Sequence, residues 1–419
     1  MASQLKDVLL IGYGAVGAVY SLILKRSGLA RVTVVARSNY EAANAKGMDF
    51  QSRKYGNIQG WRPDRLFPNI ENALDRSYDY VLLSTKAIPE IQRTPALLSA
   101  LLSPPYSDTH PQPTYVLFQN GLNVEVDLYD ALKRLRPNEE PRIISTAVWI
   151  GTGLLDKNVV EHGEFDRVHM GIYRPSTQPG NSSTTSPPAT DAQPEPAPHL
   201  AEFARMLSAG GSDVTLVPEI QRVKFTKNLW NAVLGASAAL AHASLRAFFR
   251  PPHLEPGREG SQPSPEESAG ENAREVVDAR EGGRASLKAT EAIPHASPAI
   301  GAYTIPFLHE TLTEVYELGR TLFPPDEARG VPGLDPDVVQ KTLANTARLH
   351  ARPDSVHVPS MLVDVQQGRP MEVEHVVGEV VRMGRRAGVN LPRMETLYAL
   401  LLVMQNQFLR KQQEGKAQL

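Results

Sequence analysis

The 419-residue chain contains no cysteine. That one absence removes disulfides, thiolate nucleophiles and cysteine-bound zinc together, and it fits a reducing compartment. An excess of charge of either sign is missing too. The 44 basic and 46 acidic residues leave a formal net charge of −2, which points to no general polyanion such as nucleic acid. The eleven histidines form no HExxH or clustered ligand spacing, so no metal site is expected. No window is apolar for long enough to span a bilayer. The opening "MASQLKDVLLIGYGAVG" lacks the basic region and cleavage site of a signal sequence. The expectation is a soluble, cytoplasmic protein with no membrane partner.

What is present alternates. "DVLLIG", "RVTVVAR", "YDYVLLSTK", "TYVLFQNG" and "RIISTAVWIGT" read as near-continuous apolar strands, with helical patterns between them, the first over Ala15 to Ser27. Such strands indicate a parallel sheet covered on both faces, an α/β fold of doubly wound, Rossmann type. "VVEHGEFDRVHMGIY" reads as two shorter strands around a turn, an antiparallel addition at the sheet edge. From about Val217 the pattern becomes helical, as in 306–323, 373–388 and 394–412. The expected domains are therefore 1–217, α/β, and 218–419, mostly α-helical. Within them, 174–199 is rich in Pro, Ser and Thr, and 251–302 has no aromatic residue. Neither can bury enough apolar surface to offset chain ordering, so both are expected to be disordered insertions, with "ENAREVVDAREGG" able to form a short helix.

"LLIGYGAVGAVYSLIL" sets Gly12, Gly14 and Gly17 in G-x-G-x-x-G spacing, directly after a strand and opening a helix. In that context the first glycine permits the tight turn, the second lets a pyrophosphate approach the backbone, and the third lets helix and strand pack closely. From Val32 to Asn39 there is no acid to take a ribose 2′-hydroxyl. Arg37 instead can pair with a 2′-phosphate, with Ser38 and Asn39 as hydrogen-bond donors, which favours NADPH over NADH. Lys86 in "STKA" and Asn120 in "FQNG" each follow a strand of the parallel sheet, at the end where ligands bind in open α/β folds. The Asn-Gly pair is also a common tight turn. Further on, "KFTKNLWNAVLGAS" (224–237) sets Lys227 and Asn231 one helical turn apart among apolar side chains.

Taken in order, "GYGAVG", "STKA", "FQNG", "VVEHGEFDRVHMG", "KFTKNLWNA" and "PSMLVDVQQGRPMEVEHVVGEVVRMGRRAGVNLP" resemble the ketopantoate reductase (2-dehydropantoate 2-reductase) family over nearly the whole chain outside the two insertions. The last block carries Ser360, Asp364, Glu372, Gly378 and Pro392 at the family's spacing. The resemblance implies NADPH and substrate in a cleft between a Rossmann domain and a helical domain, and hydride transfer to the ketone of a 2-oxo acid, 2-dehydropantoate in pantothenate biosynthesis. It implies Lys227 as proton donor, rather than its neighbour Lys224, and Glu372 as the group that orients it. Asn231 and Ser360 would hold the substrate. Asn120 and Lys86 would lie near nicotinamide and substrate, and Asp364 would be structural. The chain departs from the family at Gly235, where a second asparagine is common, and at His357 and Pro359, where asparagine and serine are common. Those departures alter the substrate grip and leave the hydride-transfer machinery intact. Two other readings go with them: the same machinery on a different ketoacid or ketolactone of secondary metabolism, or a non-catalytic NADPH-binding regulatory protein. A small 2-oxo acid is the expected partner, and a homodimer is allowed.

Overall fold

The computed structural model describes residues 5–175, 196–249, 303–327, 331–350 and 357–417. The stretches 176–195 and 250–302, with the possible short helix at 271–283, lie outside them. Of the first expected insertion, residues 174–175 and 196–199 are described, and Pro198 opens a helix with its preset φ. The described residues divide into two compact units, one ending at Lys224 and the other beginning at Phe225.

The first unit is built on one ten-stranded mixed sheet in the order β4-β3-β9-β8-β7-β6-β1-β2-β5, with β10 also on β9. The strands are β1 (Lys6–Ile11), β2 (Ala30–Val35), β3 (Met48–Ser52), β4 (Gly56–Trp61), β5 (Arg65–Phe67), β6 (Tyr80–Leu83), β7 (Thr114–Leu117), β8 (Ile143–Asp156), β9 (Val159–Ile172) and β10 (Asp213–Leu216). From β8 across to β5 all pairings are parallel. Alternation along β1 explains the layers. Val8 and Leu10 enter the core beneath α1 (Ala15–Arg26), with Tyr20, Ile23 and Phe203, whereas Leu9 and Ile11 enter the opposite core with Val81, Leu117 and Leu128. A strand buried on both faces needs apolar residues at every position, which is the run seen in the sequence. The other helices of this unit used below are α2 (Tyr40–Lys46), α3 (Val126–Leu135) and α4 (Pro198–Ala209).

The expectation for "VVEHGEFDRVHMGIY" is corrected. It forms the single 14-residue strand β9, and this strand is internal, lying antiparallel to β8 on one side with β3 and β10 on the other. The register slips between Ile150 and Thr152 and between Leu154 and Asp156, so bulges absorb the irregular, Gly-containing pattern without ending the strand.

The helix α5 (Ile220–Trp230) begins in the first unit and ends in the second. It runs into a π-helical turn, Asn231–Gly235, and then into α6 (Ala236–Ala241). The second unit continues with α7 (Leu245–Phe249), α8 (Ile305–Leu322), α9 (Val338–His350) and α10 (Ser360–Gln366). A second π turn, Glu374–Gly378, precedes α11 (Glu379–Ala387) and α12 (Pro392–Ala417). Among the described residues no helix is long and apolar enough to cross a membrane.

Candidate active site

The glycine loop lies at the point where the sheet's strand order reverses. β1 has β2 on one side and β6 on the other, and the loop leaves the carboxyl end of β1. Gly12 takes φ +103°, a conformation that only glycine adopts cheaply, and a Cβ there would stand 2.9 Å from the Thr85 backbone. At Gly17 a Cβ would stand 2.0 Å from the Gly12 carbonyl oxygen, so any side chain would part the helix from the turn. Gly14 differs: a Cβ there meets no atom of the protein within 4 Å. Two glycines are thus demanded by the chain's own packing. The third keeps clear a space beside the N-terminus of α1, where backbone N–H groups attract phosphate. These residues fit a dinucleotide.

Two side chains brace the loop. The Ser84 hydroxyl, just past β6, donates to the Gly12 carbonyl at 2.7 Å, and the Asn39 amide donates to the Tyr13 carbonyl at 2.7 Å. Asn39 is buried, so it holds the loop and is not left over for a 2′-phosphate as its position past β2 suggested. Arg37 and Ser38 are exposed. Lys86 is exposed just beyond β6, and Asn120 is half-buried just beyond β7. Gln119 ties those two strand ends together by donating to the Thr85 carbonyl at 3.0 Å. Gly12, Gly14, Gly17, Arg37, Lys86 and Asn120 therefore collect along one edge, at the carboxyl ends of β1, β2, β6 and β7.

Lys224 and Lys227 have different fates. Lys224 is buried and pairs with the fully buried Glu125, Nζ to Oε1 at 2.5 Å, while Ser145 and Gln221 also donate to that carboxylate. Burial by itself would raise the Glu125 pKa. The Lys224 ammonium and the hydrogen bonds from Lys224 and Ser145 outweigh it and hold the carboxyl below its usual range. Lys224 thus ties the start of α5 to the first unit, as the beginning of α3 and β8 supply Glu125 and Ser145.

Lys227 lies one turn on, part-buried, with Asn231 also part-buried at the first position of the π turn. Within the second unit, α10 packs on this π turn and on α6, and the two π turns pack on each other. Ser360 is the exposed first residue of α10. The cap position belongs to Pro359, which has no side-chain acceptor, so Ser360 does not serve as a helix cap. Glu372 is buried two residues ahead of the second π turn. Asn231 and Ser360 therefore sit on segments that pack on each other, with Lys227 one turn ahead of Asn231 and Glu372 just ahead of the second π turn, all in one unit. Asp364 is buried and accepts from Arg369 at 3.1 Å, in keeping with a structural place.

Sequence reasoning missed the residues that hold these segments. Gln405, buried on α12, accepts from the Met371 N–H at 2.9 Å and donates to the Met371 carbonyl at 3.0 Å, pinning the backbone next to Glu372. Buried Asn228 donates to the Val376 carbonyl at 2.9 Å and joins α5 to the second π turn. An amide in the middle of an apolar helical face was the available signal for both. The π turns themselves, a helical form that recurs at functional positions, left no mark in the residue pattern.

Comparison with known proteins gives this arrangement a place. The family model "Ketopantoate reductase PanE/ApbA" matches residues 8–175, and its C-terminal counterpart matches residues 302–405. The chain belongs to the ketopantoate reductase family. Members of that family are oxidoreductases, and this chain carries both of the family's parts in their order. An uncharacterized protein of Saccharomyces cerevisiae, YDL144C, is 24% identical over 410 residues, covering 95% of this chain and 93% of its own. Among solved structures, 2-dehydropantoate 2-reductase from Methylococcus capsulatus matches with TM-score 0.63 and 23% identity, covering 96% of this chain and 97% of that one. A D-mandelate dehydrogenase, solved with NADH and anilino(oxo)acetate, matches with TM-score 0.61 and 15% identity over 96% and 99%. At those identities the structures speak for the fold of a ketopantoate reductase.

Proposed function

We infer that this chain reduces a 2-oxo acid to the 2-hydroxy acid with NADPH, with 2-dehydropantoate the first substrate to try. The observation that carries the reading is the packing of the π turn that opens at Asn231 on α10, which Ser360 opens, and on the π turn that follows Glu372, all within a single unit. Gly12, Gly14, Gly17 and the exposed Arg37 would hold the cofactor, with Lys86 and Asn120 at the same edge near the nicotinamide. When bound, NADPH supplies a hydride to the carbonyl carbon and leaves as NADP+. The Lys227 ammonium hydrogen-bonds the carbonyl oxygen as charge develops there, then gives it a proton, so that hydride and proton together complete the alcohol. Glu372 orients the lysine. Asn231 and Ser360 hold the acid by hydrogen bonds. Membership of a dimer, soluble life in the cytoplasm and a place in pantothenate synthesis belong to the same reading.

Lys227→Ala is expected to lower NADPH oxidation with the best 2-oxo acid by at least about 10³-fold, in the range of a lost acid and charge stabiliser. NADPH binding, followed by its fluorescence, should change less than about threefold. Undiminished turnover in that variant sinks the reading. Tight NADPH binding without oxidation on any 2-oxo acid in the intact protein would favour a regulatory role instead.

A second reading, in which the acid is bulkier than dehydropantoate, has one observation behind it. A Cβ built at Gly235, in the π turn, meets only the Met361 sulfur at 3.9 Å, so the position leaves space where a side chain would fit. Gly235→Asn should then raise kcat/KM for dehydropantoate relative to a bulkier 2-oxo acid.

A further inference from the structure

Beside the Lys227–Asn231 helix stands a nitrogen-rich corner that no step above uses. Trp230 follows Lys227 by three positions on α5, and its indole N–H donates to Thr346 on α9 at 3.1 Å. The His357 ring meets the Trp230 ring edge-on, with centroids 5.3 Å apart. His357 is exposed and stands three residues ahead of Ser360, on the approach to α10. Behind it, 5.5 Å from ring to ring, His350 ends α9 fully buried, and neither of its ring nitrogens has a hydrogen-bond partner. A buried imidazole with both nitrogens unmatched carries the desolvation penalty of each unmatched group. Native interiors rarely keep such a deficit without a use for it.

Among the described residues, the two titratable groups that act on His350 both oppose its protonation. They are Arg246 from α7 and His357 from the segment before α10; α8, which also packs on α9, brings no titratable group to bear on it. Burial comes first among the causes that bring the His350 imidazole down to about 4, followed by His357 and Arg246. No carboxylate among the described residues acts on His350. No group of three His, Asp or Glu suited to a metal ion occurs among the described residues either. Nitrogen donors and a neighbouring guanidinium, with no acid among the described residues acting on His350, are the chemistry of an anion site.

We propose that His357, backed by His350 and Arg246, receives a second anionic group of the substrate, so that the 2-oxo acid turned over best is a dianion with its second carboxylate remote from the ketone. This deepens the proposed function and rests on it. His357 makes the contact. His350 is a positioning residue, holding the His357 ring and sharing the proton that a bound carboxylate draws in. Because the imidazoles are neutral in the free protein near pH 7, binding the dianion takes up a proton. Its affinity therefore rises as pH falls from about 8 to about 6, because the bound carboxylate favours the imidazolium that burial disfavours in the free protein.

The test compares two acids of equal length, 2-oxoglutarate and 2-oxopentanoate, which differ in a terminal carboxylate against a methyl. With the full chain and NADPH, kcat/KM for 2-oxoglutarate should exceed that for 2-oxopentanoate by at least about tenfold at pH 6.5, and the ratio should shrink toward pH 8 through KM rather than kcat. In His357→Phe, which keeps the edge contact with Trp230, the ratio should collapse toward one. His350→Gln keeps a donor but cannot be protonated; the preference should persist in it while its pH dependence flattens. Melting temperatures of both variants show whether the fold survives. Equal kcat/KM for the two acids in the unaltered chain, or an equal loss on both in His357→Phe, overturns the proposal while leaving the proposed reductase standing. Reduction of no 2-oxo acid at all overturns both.

Discussion

Gly14 and Gly17 are one helical turn apart and look alike in the motif, yet they answer to different demands. Gly17 is fixed by packing, since its Cβ would overlap the Gly12 carbonyl and stand 2.5 Å from the Ser84 hydroxyl. Gly14 has an ordinary φ of −71° and open space in front of it. Gly17→Ala is therefore expected to lose stability as an overpacked site does, by about 1–3 kcal/mol or more. Gly14→Ala should leave the melting temperature within about 1 °C, because an alanine at a helix start adds no strain, but should weaken NADPH by tenfold or more through a methyl placed in the space proposed for the pyrophosphate. Thermal melts alongside fluorescence titration separate the two. A Gly14→Ala chain that binds NADPH as well as the original would place the phosphates elsewhere.

At the scale of elements, the decisive feature is the way α5 is anchored at two points one turn apart. Its first half is fixed by the Lys224–Glu125 pair and its end by Asn228 on the Val376 carbonyl, and Lys227 lies between these two anchors. A buried ion pair is seldom worth more than well-packed apolar residues, but removing one partner leaves a bare buried charge. Lys224→Met should cost about 3–5 kcal/mol in urea denaturation, and the double variant Lys224→Met with Glu125→Met should recover most of it. The pH sign follows from the lowered Glu125 pKa. The pair's contribution is whole above the unfolded glutamate value of about 4.3 and is lost as pH falls through the lower folded value. Acid melts between about pH 5 and 2.5 should accordingly be steeper for the original chain than for the double variant. The strands and the glycine loop were legible in the sequence because both are local: buried runs of four to eight residues, and a motif whose spacing encodes its turn. The tether was not. Glu125 and Lys224 are 99 positions apart, and "KFTK" alone offers two lysines with nothing to say which is consumed by a structural pair. Nor was the course of β9, since its Gly-interrupted pattern reads as a turn until the bulges in β8 are seen to absorb it.

For the molecule as a whole, composition and the change from alternating strands to helices told of two parts, each with a core of its own, but the charge balance inside the first part is closed by residues of α5. Ser145 and Glu125 come from β8 and the start of α3; Gln221 and Lys224 come from the opening turns of the helix that goes on to Lys227. A cut after Val217 would leave Glu125 buried without its cation and Ser145 as its remaining donor. A cut after Trp230 keeps all four groups. The fragment 1–230 should therefore melt cooperatively and bind NADPH through the glycine loop, whereas 1–217 should be less stable by about 3 kcal/mol or more, the range for a buried pair stripped of one partner. Circular dichroism melts and NADPH fluorescence on both fragments check this. Equal stability would mean that water reaches Glu125 once α5 is gone, and that the pair serves the direction of the helix instead of the integrity of the sheet. In that case Lys224→Met in the full chain should lower kcat while leaving the urea midpoint near its original value.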